Sequence, residues 1–270
     1  MPGTNVSVLL VGCGKMGGAM LQGWRREPGL GPFVAVEPGG APEFEKAADV
    51  TVVRSVDDLP AGFSPSVVVF ATKPQVMDQV APAYKRFAAT ALFVSIAAGK
   101  TIAYFRKHLG NDAAIVRAMP NTPAAVGRGI TVGCPTADVS AAQREVADRL
   151  LRSVGAVEWV TDEGLIDAVT AVSGSGPAYV FLLAEAMAAA GAKAGLPADL
   201  AMRLARATVS GAGELLRQAP ESAAQLRINV TSPKGTTAAA LEILMAADGF
   251  GPLLEKAIDA AARRSRELAS

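Results

Sequence analysis

Up to about Val160 the chain follows one grammar, and after Thr161 it abandons it. In the first part, short apolar runs rich in Val, Ile and Phe alternate with helix-like stretches: VSVLLVG, FVAVE, SVVVFAT, ALFVSIA and AAIVRAM. β-Branched residues suit a pleated surface, and parallel strands need crossover helices between them, so this alternation predicts a doubly wound parallel sheet. In the second part the β-branched runs vanish. LIDAVTAV, YVFLLAEAMAAA and LAMRLARATV are rich in Ala and Leu with apolar residues at helical spacing, which predicts an all-helical domain. No Gly/Ser or Pro-rich linker separates the two, so a stiff helix starting near Asp162 is expected to connect residues 1–161 to residues 162–270. The helical part has more apolar positions than one thin layer can bury, which fits either a partner subunit or an ordinary internal core.

With 270 residues, half of them hydrophobic and 19% charged, the chain can bury a large core. A formal net charge of +1, with no block of like charges, gives no general attraction to nucleic acid or to an acidic membrane surface. A small neutral or anionic ligand fits better. The two cysteines, Cys13 and Cys134, lie far apart without metal-ligand spacing, and the start MPGTNVSVLLVG lacks the form of a secretory signal. No apolar run reaches the roughly 20 residues of a membrane span. The expectation is a soluble, cytoplasmic protein that binds no metal.

The first chemical signal is Gly12-Cys13-Gly14-Lys15-Met16-Gly17, which ends the run VSVLLV and opens a helix-like stretch. Gly12 permits the tight turn, Gly14 lets backbone N–H groups approach a pyrophosphate, and Gly17 lets helix and strand pack closely. The run FVAV then ends in an acid, Glu37, about 20 residues past Gly17, as in a dinucleotide-binding Rossmann domain. A carboxylate there can accept both ribose hydroxyls of NADH and would repel the 2′-phosphate of NADPH. NADH is therefore expected to serve at least as well as NADPH. Ala71-Thr72-Lys73-Pro74 and Ala97-Ala98-Gly99 follow the later runs, where loops at the carboxyl ends of parallel strands bind ligands. The single histidine, His108, near the end of a helix-like stretch, reads as a helix C-terminal cation.

In the helical half, SGSGPAY from Ser173 to Tyr179 interrupts a helical pattern that runs on both sides; it fits a kink, a close helix crossing or an approach to a ligand. With this segment the chain resembles the pyrroline-5-carboxylate reductases over nearly its whole length. The motifs are GCGKMGGAML, ATKPQ, SIAAG, RAMPNTPAAVGRGIT, LIDAVTAVSGSGPAYVF, AGLP, VTSPKGTT, and RSREL near the end. The resemblance implies reduction of the cyclic imine 1-pyrroline-5-carboxylate to L-proline by NADPH or NADH. It also implies an N-terminal Rossmann domain and an all-helical domain that exchanges helices in a homodimer, sometimes assembled further into a ring, with the second subunit's helices brought to the active site.

Residue by residue, the resemblance puts coenzyme contacts on Gly12, Cys13, Gly14, Lys15, Met16, Gly17, Glu37, Ala71, Thr72, Lys73, Pro74, Ala97, Ala98 and Asn229. Substrate contacts fall on Glu163, Val230, Ser232, Gly235, Thr236 and Thr237, and Thr237 is the candidate catalytic hydrogen-bond partner of the imine nitrogen. Two positions depart from the family. Lys234 stands where TSPGGTT has a glycine, which argues against a left-handed backbone there, and Pro220 stands where some members have a glutamate, so the adjacent Glu221 receives no role. Reduction of C=N needs a hydride donor and a protonated, well-positioned imine; it needs neither metal nor nucleophile. Without the resemblance, two readings compete: a reductase of the β-hydroxyacid dehydrogenase type, whose acid/base lysine VTAVSGSGPAYVF lacks, and a dinucleotide-binding redox sensor.

Overall fold

The computed structural model describes residues 5–269. Strand β1 (Val6–Val11) shows why the sheet has two covered faces: Val8 and Leu10 pack into one core, Leu9 and Val11 into another, and none is more than 2% exposed. Around it lie β2 (Leu30–Val36), β3 (Val50–Val53), β4 (Val67–Phe70), β5 (Leu92–Ser95), β6 (Ile115–Met119), β7 (Gly129–Pro135) and β8 (Gly155–Trp159). Among the described residues they form one sheet in the order β3-β2-β1-β4-β5-β6-β7-β8, with Leu10 of β1 beside Ala35 of β2 and Val69 of β4. The first six strands are parallel; β7 runs antiparallel to β6, and β8 parallel to β7. The winding runs outward from β1 in both directions, so the topological switch point falls at the carboxyl ends of β1 and β4, where such sheets bind ligands.

Strands β3, β7 and β8 lie outside the apolar runs that announced the sheet. β7, GITVGCP, is diluted by glycine because the Trp159 ring of β8 fills the space over it: a Cβ on Gly133 would stand 2.7 Å from that ring. Helices cover both faces. α1 (Lys15–Trp24) and α4 (Ala141–Arg152) are joined by Trp24, whose Nε1 donates to Leu150 O at 2.8 Å. α2 (Met77–Val80) and α3 (Ile102–Leu109) lie on the other face, over the stacked rings of Phe70, Phe93 and Phe105. His108 lies in the last turn of α3, next to the C-cap Gly110.

The chain continues through α5 (Leu165–Val169), a π-turn over Thr170–Gly174, and α6 (Gly176–Lys193). SGSGPAY thus begins in the widened turn, breaks at Ser175, which is a bend and the N-cap of α6, and restarts the helix with Pro177 in its first turn. Ser173 and Thr170 donate to Val169 O and Ile166 O, and a Cβ on Gly174 would stand 2.6 Å from Met119 Cε. Then follow α7 (Ala198–Gln218), α8 (Ala223–Asn229), α9 (Thr236–Leu244) and α10 (Phe250–Ala269). By packing, the chain divides between Gly174 and Ser175, and residues 261–269 belong with the first unit. Residues 162–174, grouped with the helical half on sequence, thus pack with the sheet. The second unit, Ser175–Ala260, keeps large apolar side chains in the open, among them Phe181 and Leu182 at 63% and Ile243 at 75% exposure.

Candidate active site

The glycine loop between β1 and α1 separates what packing demands from what it does not. Gly12 has φ +92°, and a Cβ there would stand 2.8 Å from Thr72 N; a Cβ on Gly17 would collide with Gly12 O. Gly14 differs from both. Its φ is −71°, open to any residue, and a Cβ on it would meet nothing within 4 Å. Packing and backbone geometry therefore do not call for glycine at 14, whereas close approach of a ligand does. Gly14 is also the N-cap of α1 and carries no side chain to satisfy the first-turn N–H groups, the arrangement that binds a phosphate anion.

Glu37 follows β2 and is held at the rim of this loop. Its Oε2 accepts from Cys13 N at 2.8 Å and its Oε1 from Gly39 N at 3.3 Å, so the carboxylate is fixed beside the glycine loop, the place from which an acid can reach a ribose in dinucleotide-binding sheets. Cys13 is buried, and its thiol is pushed up to about 12 by burial and then by the nearby Glu43 and Glu37 carboxylates. At neutral pH it is a protonated, unreactive side chain. Lys15 is exposed and Met16 partly covered. After β4, Ala71 and Thr72 press on Gly12, Lys73 is exposed, and Pro74 opens a 3₁₀ turn. After β5, Ala97 is 6% exposed and contributes backbone, while Ala98 is exposed at the corner of a turn closed by Lys100 N donating to Ala97 O. These residues gather at the carboxyl edge of the sheet. Among the described residues, no three His, Cys, Asp or Glu side chains come together as a metal site.

Glu163, a substrate contact by resemblance, is engaged within the first unit. Its Oε1 accepts from Ile102 N, the first N–H of α3, and from Nη1 of Arg117, both at 2.8 Å. Arg117 is 5% exposed on β6, a charge buried in the run IVRAM, and sequence reading gave it no role. An arginine in the middle of an apolar strand was the available signal, because such a charge is rarely buried without a partner.

The other substrate candidates lie in the second unit, between α8 and α9. Asn229 ends α8 and its Oδ1 accepts from Gln225 Nε2 at 2.8 Å; Val230 is 66% exposed and Ser232 is exposed. Gly235 N donates to Ser232 O at 3.0 Å, closing the turn, and Lys234 within it has φ +63°. The left-handed backbone that a lysine argued against is present, and the turn explains it. The glycine of TSPGGTT marks a left-handed position, which Lys234 occupies at a cost of about 1 kcal/mol. Gly235, not a threonine, is the N-cap of α9, and it has no side-chain capping bond. Thr236 and Thr237 occupy the first turn, where free N–H groups and two hydroxyls present a second anion-binding end.

Sheet order, glycine loop and the acid after β2 define a dinucleotide-binding protein of the Rossmann class. A family profile for pyrroline-5-carboxylate reductase dimerisation matches residues 163–268. The pyrroline-5-carboxylate reductase of Pseudomonas aeruginosa is 42% identical over 267 residues, covering 97% of this chain and 96% of the relative. A solved pyrroline-5-carboxylate reductase from Coxiella burnetii superposes with a TM-score of 0.90 at 33% identity, over 98% of this chain and 99% of that one. One from Plasmodium falciparum with NADP bound gives a TM-score of 0.83 at 28% identity, over 99% of both chains. The chain belongs to the pyrroline-5-carboxylate reductase family. By length and composition alone the helical run 165–193 is long and apolar enough to cross a membrane, but polar and glycine residues interrupt it at Asp167, SGSGP and Glu185, so it is no continuous apolar run of about 20 residues, and it falls inside the dimerisation match.

Proposed function

We propose that this chain reduces the C=N bond of 1-pyrroline-5-carboxylate to give L-proline, with NADH or NADPH as reductant. The observation that carries the coenzyme site is Gly14, which neither packing nor backbone geometry requires to be glycine and whose bare backbone at the start of α1 suits the close approach of a ligand. The coenzyme supplies the hydride. Gly12 to Gly17, with the first turn of α1, hold its pyrophosphate; Glu37 accepts the ribose hydroxyls; residues 71–74, Ala97, Ala98 and Asn229 complete the cradle. Glu37, already fixed by Cys13 N and Gly39 N, favours NADH over a 2′-phosphate.

The substrate carboxylate docks on the first turn of α9, on the N–H groups and hydroxyls of Thr236 and Thr237 with Ser232 beside them; Val230, Gly235 and Glu163 line the ring. The Thr237 hydroxyl hydrogen-bonds the imine nitrogen, whose proton comes from solvent. Holding the ring in place in this way supplies several kcal/mol of the barrier, roughly. Thr237→Ala is expected to lower kcat/KM about ten- to a hundredfold, the value of one hydrogen bond made in the transition state. An unchanged value removes Thr237 from the mechanism.

The open apolar faces of the second unit support a homodimer, and any further ring of dimers would show as a native mass that is a multiple of the dimer's. The two buried free thiols suit the reducing cytoplasm. Steady-state turnover of pyrroline-5-carboxylate with NADH and NADPH at equal concentration tests the whole reading. No coenzyme oxidation defeats the enzyme and leaves a dinucleotide sensor; strong preference for NADPH defeats the role given to Glu37.

A further inference from the structure

The motif RSREL near the end of the chain has no place in the mechanism above, and the first unit shows where it goes. In the last turns of α10, Ala262 and Ser265 are buried while Arg263, Arg264 and Arg266 are exposed. Ser265 Oγ donates to Oδ1 of Asp167 on α5 at 2.6 Å. One turn further on, Leu268 lies against Gly99. A Cβ on Gly99 would stand 2.9 Å from Leu268 O and 3.2 Å from its Cβ, and Gly99 has φ +73°. Gly99 sits in the turn Ala97–Lys100, whose exposed corner is Ala98, so the end of α10 backs the turn that carries a coenzyme contact.

The same loop is held at its other end. Ile102, three residues past Gly99, donates its N–H to Glu163, which is fixed in turn by Arg117. Glu163 and Asp167 lie on one short segment leading into and along α5. Residues 99–102 are thus enclosed by a loop of contacts, from Ile102 to Glu163, along the chain to Asp167, across to Ser265, and by one helical turn to Leu268 and back to Gly99. Fragments of SIAAG, LIDAV and RSREL, the first and last of them more than half the chain apart, meet here.

We propose that Ser265 and Leu268 are positioning residues that set the 97–100 turn for the coenzyme from behind, without touching it. This rests on the reading of that turn as part of the coenzyme site. A positioning role separates the kinetic constants, because a displaced turn weakens one ligand and leaves the chemistry in place.

Ser265→Ala is expected to raise the KM and Kd for NADH roughly five- to tenfold, the effect of losing one hydrogen bond to a carboxylate. In the same variant kcat and the KM for pyrroline-5-carboxylate stay within about twofold. Ser265→Thr, which keeps the hydroxyl, restores the NADH constants, and a chain ending at Glu267, which lacks Leu268, reproduces the defect in a dimer of normal mass. Unchanged NADH binding in both Ser265→Ala and the shortened chain overturns the proposal, and so does a uniform loss of activity that Ser265→Thr does not correct. Gly14→Ala measured alongside separates the two claims: if it weakens NADH binding and Ser265→Ala does not, the brace is wrong and the coenzyme site stands; if neither does, the site itself is wrong.

Discussion

The two units of this chain treat apolar residues in opposite ways. In the first, both faces of a sheet are covered, and Leu9, Val68, Phe70 and Leu92 are fully excluded from water. In the second, α6 and α7 bury only Ala188, Ala201 and Ala205, while Phe181, Leu215 and Ile243 stay more than 60% exposed. A parallel sheet with crossover helices can close its core within one chain, because each strand brings the helix that covers it. An Ala-rich helical layer cannot, and its surface asks for a second copy. Both units nevertheless present the same chemical device, a helix whose N-cap is a glycine without a capping side chain: Gly14 before α1 and Gly235 before α9. An unsatisfied helix end needs only backbone, so it can be built on a self-sufficient core or on one that a partner completes.

Charging the open faces is the strongest way to break this contrast. Leu215→Glu combined with Ile243→Glu should cost the dimer on the order of 5 kcal/mol, because unpaired carboxylates are buried when the faces meet. Sedimentation is expected to show a monomer with little activity; a dimer of unchanged stability would mean that these faces are not the interface. Next in size is the buried charge of the sheet unit. Arg117→Ala should lower the free energy of unfolding by about 3 kcal/mol, since it empties the space of a buried side chain and leaves Glu163 on Ile102 N without its cation. A loss below about 1 kcal/mol in urea titrations would make that core indifferent to its ion pair.

The glycine loop gives a finer test, because its glycines should divide between folding and binding. Gly12→Ala, which meets Thr72 and a positive φ, is expected to destabilise by about 1–3 kcal/mol. Gly14→Ala should leave stability within about 0.5 kcal/mol and raise the coenzyme KM roughly tenfold. Equal behaviour of the two variants would return Gly14 to the scaffold. The smallest effect belongs to Lys234→Gly. Relief of the left-handed backbone, offset by the freedom of glycine in the unfolded chain, should stabilise by less than about 1 kcal/mol, seen as a small rise in melting temperature. An unchanged KM for pyrroline-5-carboxylate would leave the exposed lysine to solvent; a raised one would give it a part in drawing the anionic substrate.

Some of the site was legible in the order of residues. Gly12, Gly14, Gly17 and Glu37 occupy one short stretch of strand, turn, helix and strand, so their spacing alone places them together, as it does Gly235, Thr236 and Thr237 at the start of α9. Strands β3, β7 and β8 were less legible: β3 is short, and β7 is diluted by a glycine that exists to admit the ring of Trp159. The break at SGSGP was legible, and the structure has it at Ser175, but the π-turn over Thr170–Gly174 that precedes it was not, because in sequence a widened turn and an interruption both show small residues where bulky ones are expected.

By itself, then, the amino-acid sequence determined the central strands of the sheet, the helical half and the dinucleotide loop, which rest on periodicity and on residues close together in the chain, while its ordered motifs carried the resemblance to the family. Only the tertiary structure decided that Glu163 answers the buried charge of Arg117, that Lys234 takes the left-handed place of a glycine, and that Ser265 and Leu268 reach back to Asp167 and Gly99. The physical reason is distance along the chain. Local pattern records which face of an element is buried, but the partner that a buried charge or a bare glycine meets is chosen by packing between elements far apart in sequence.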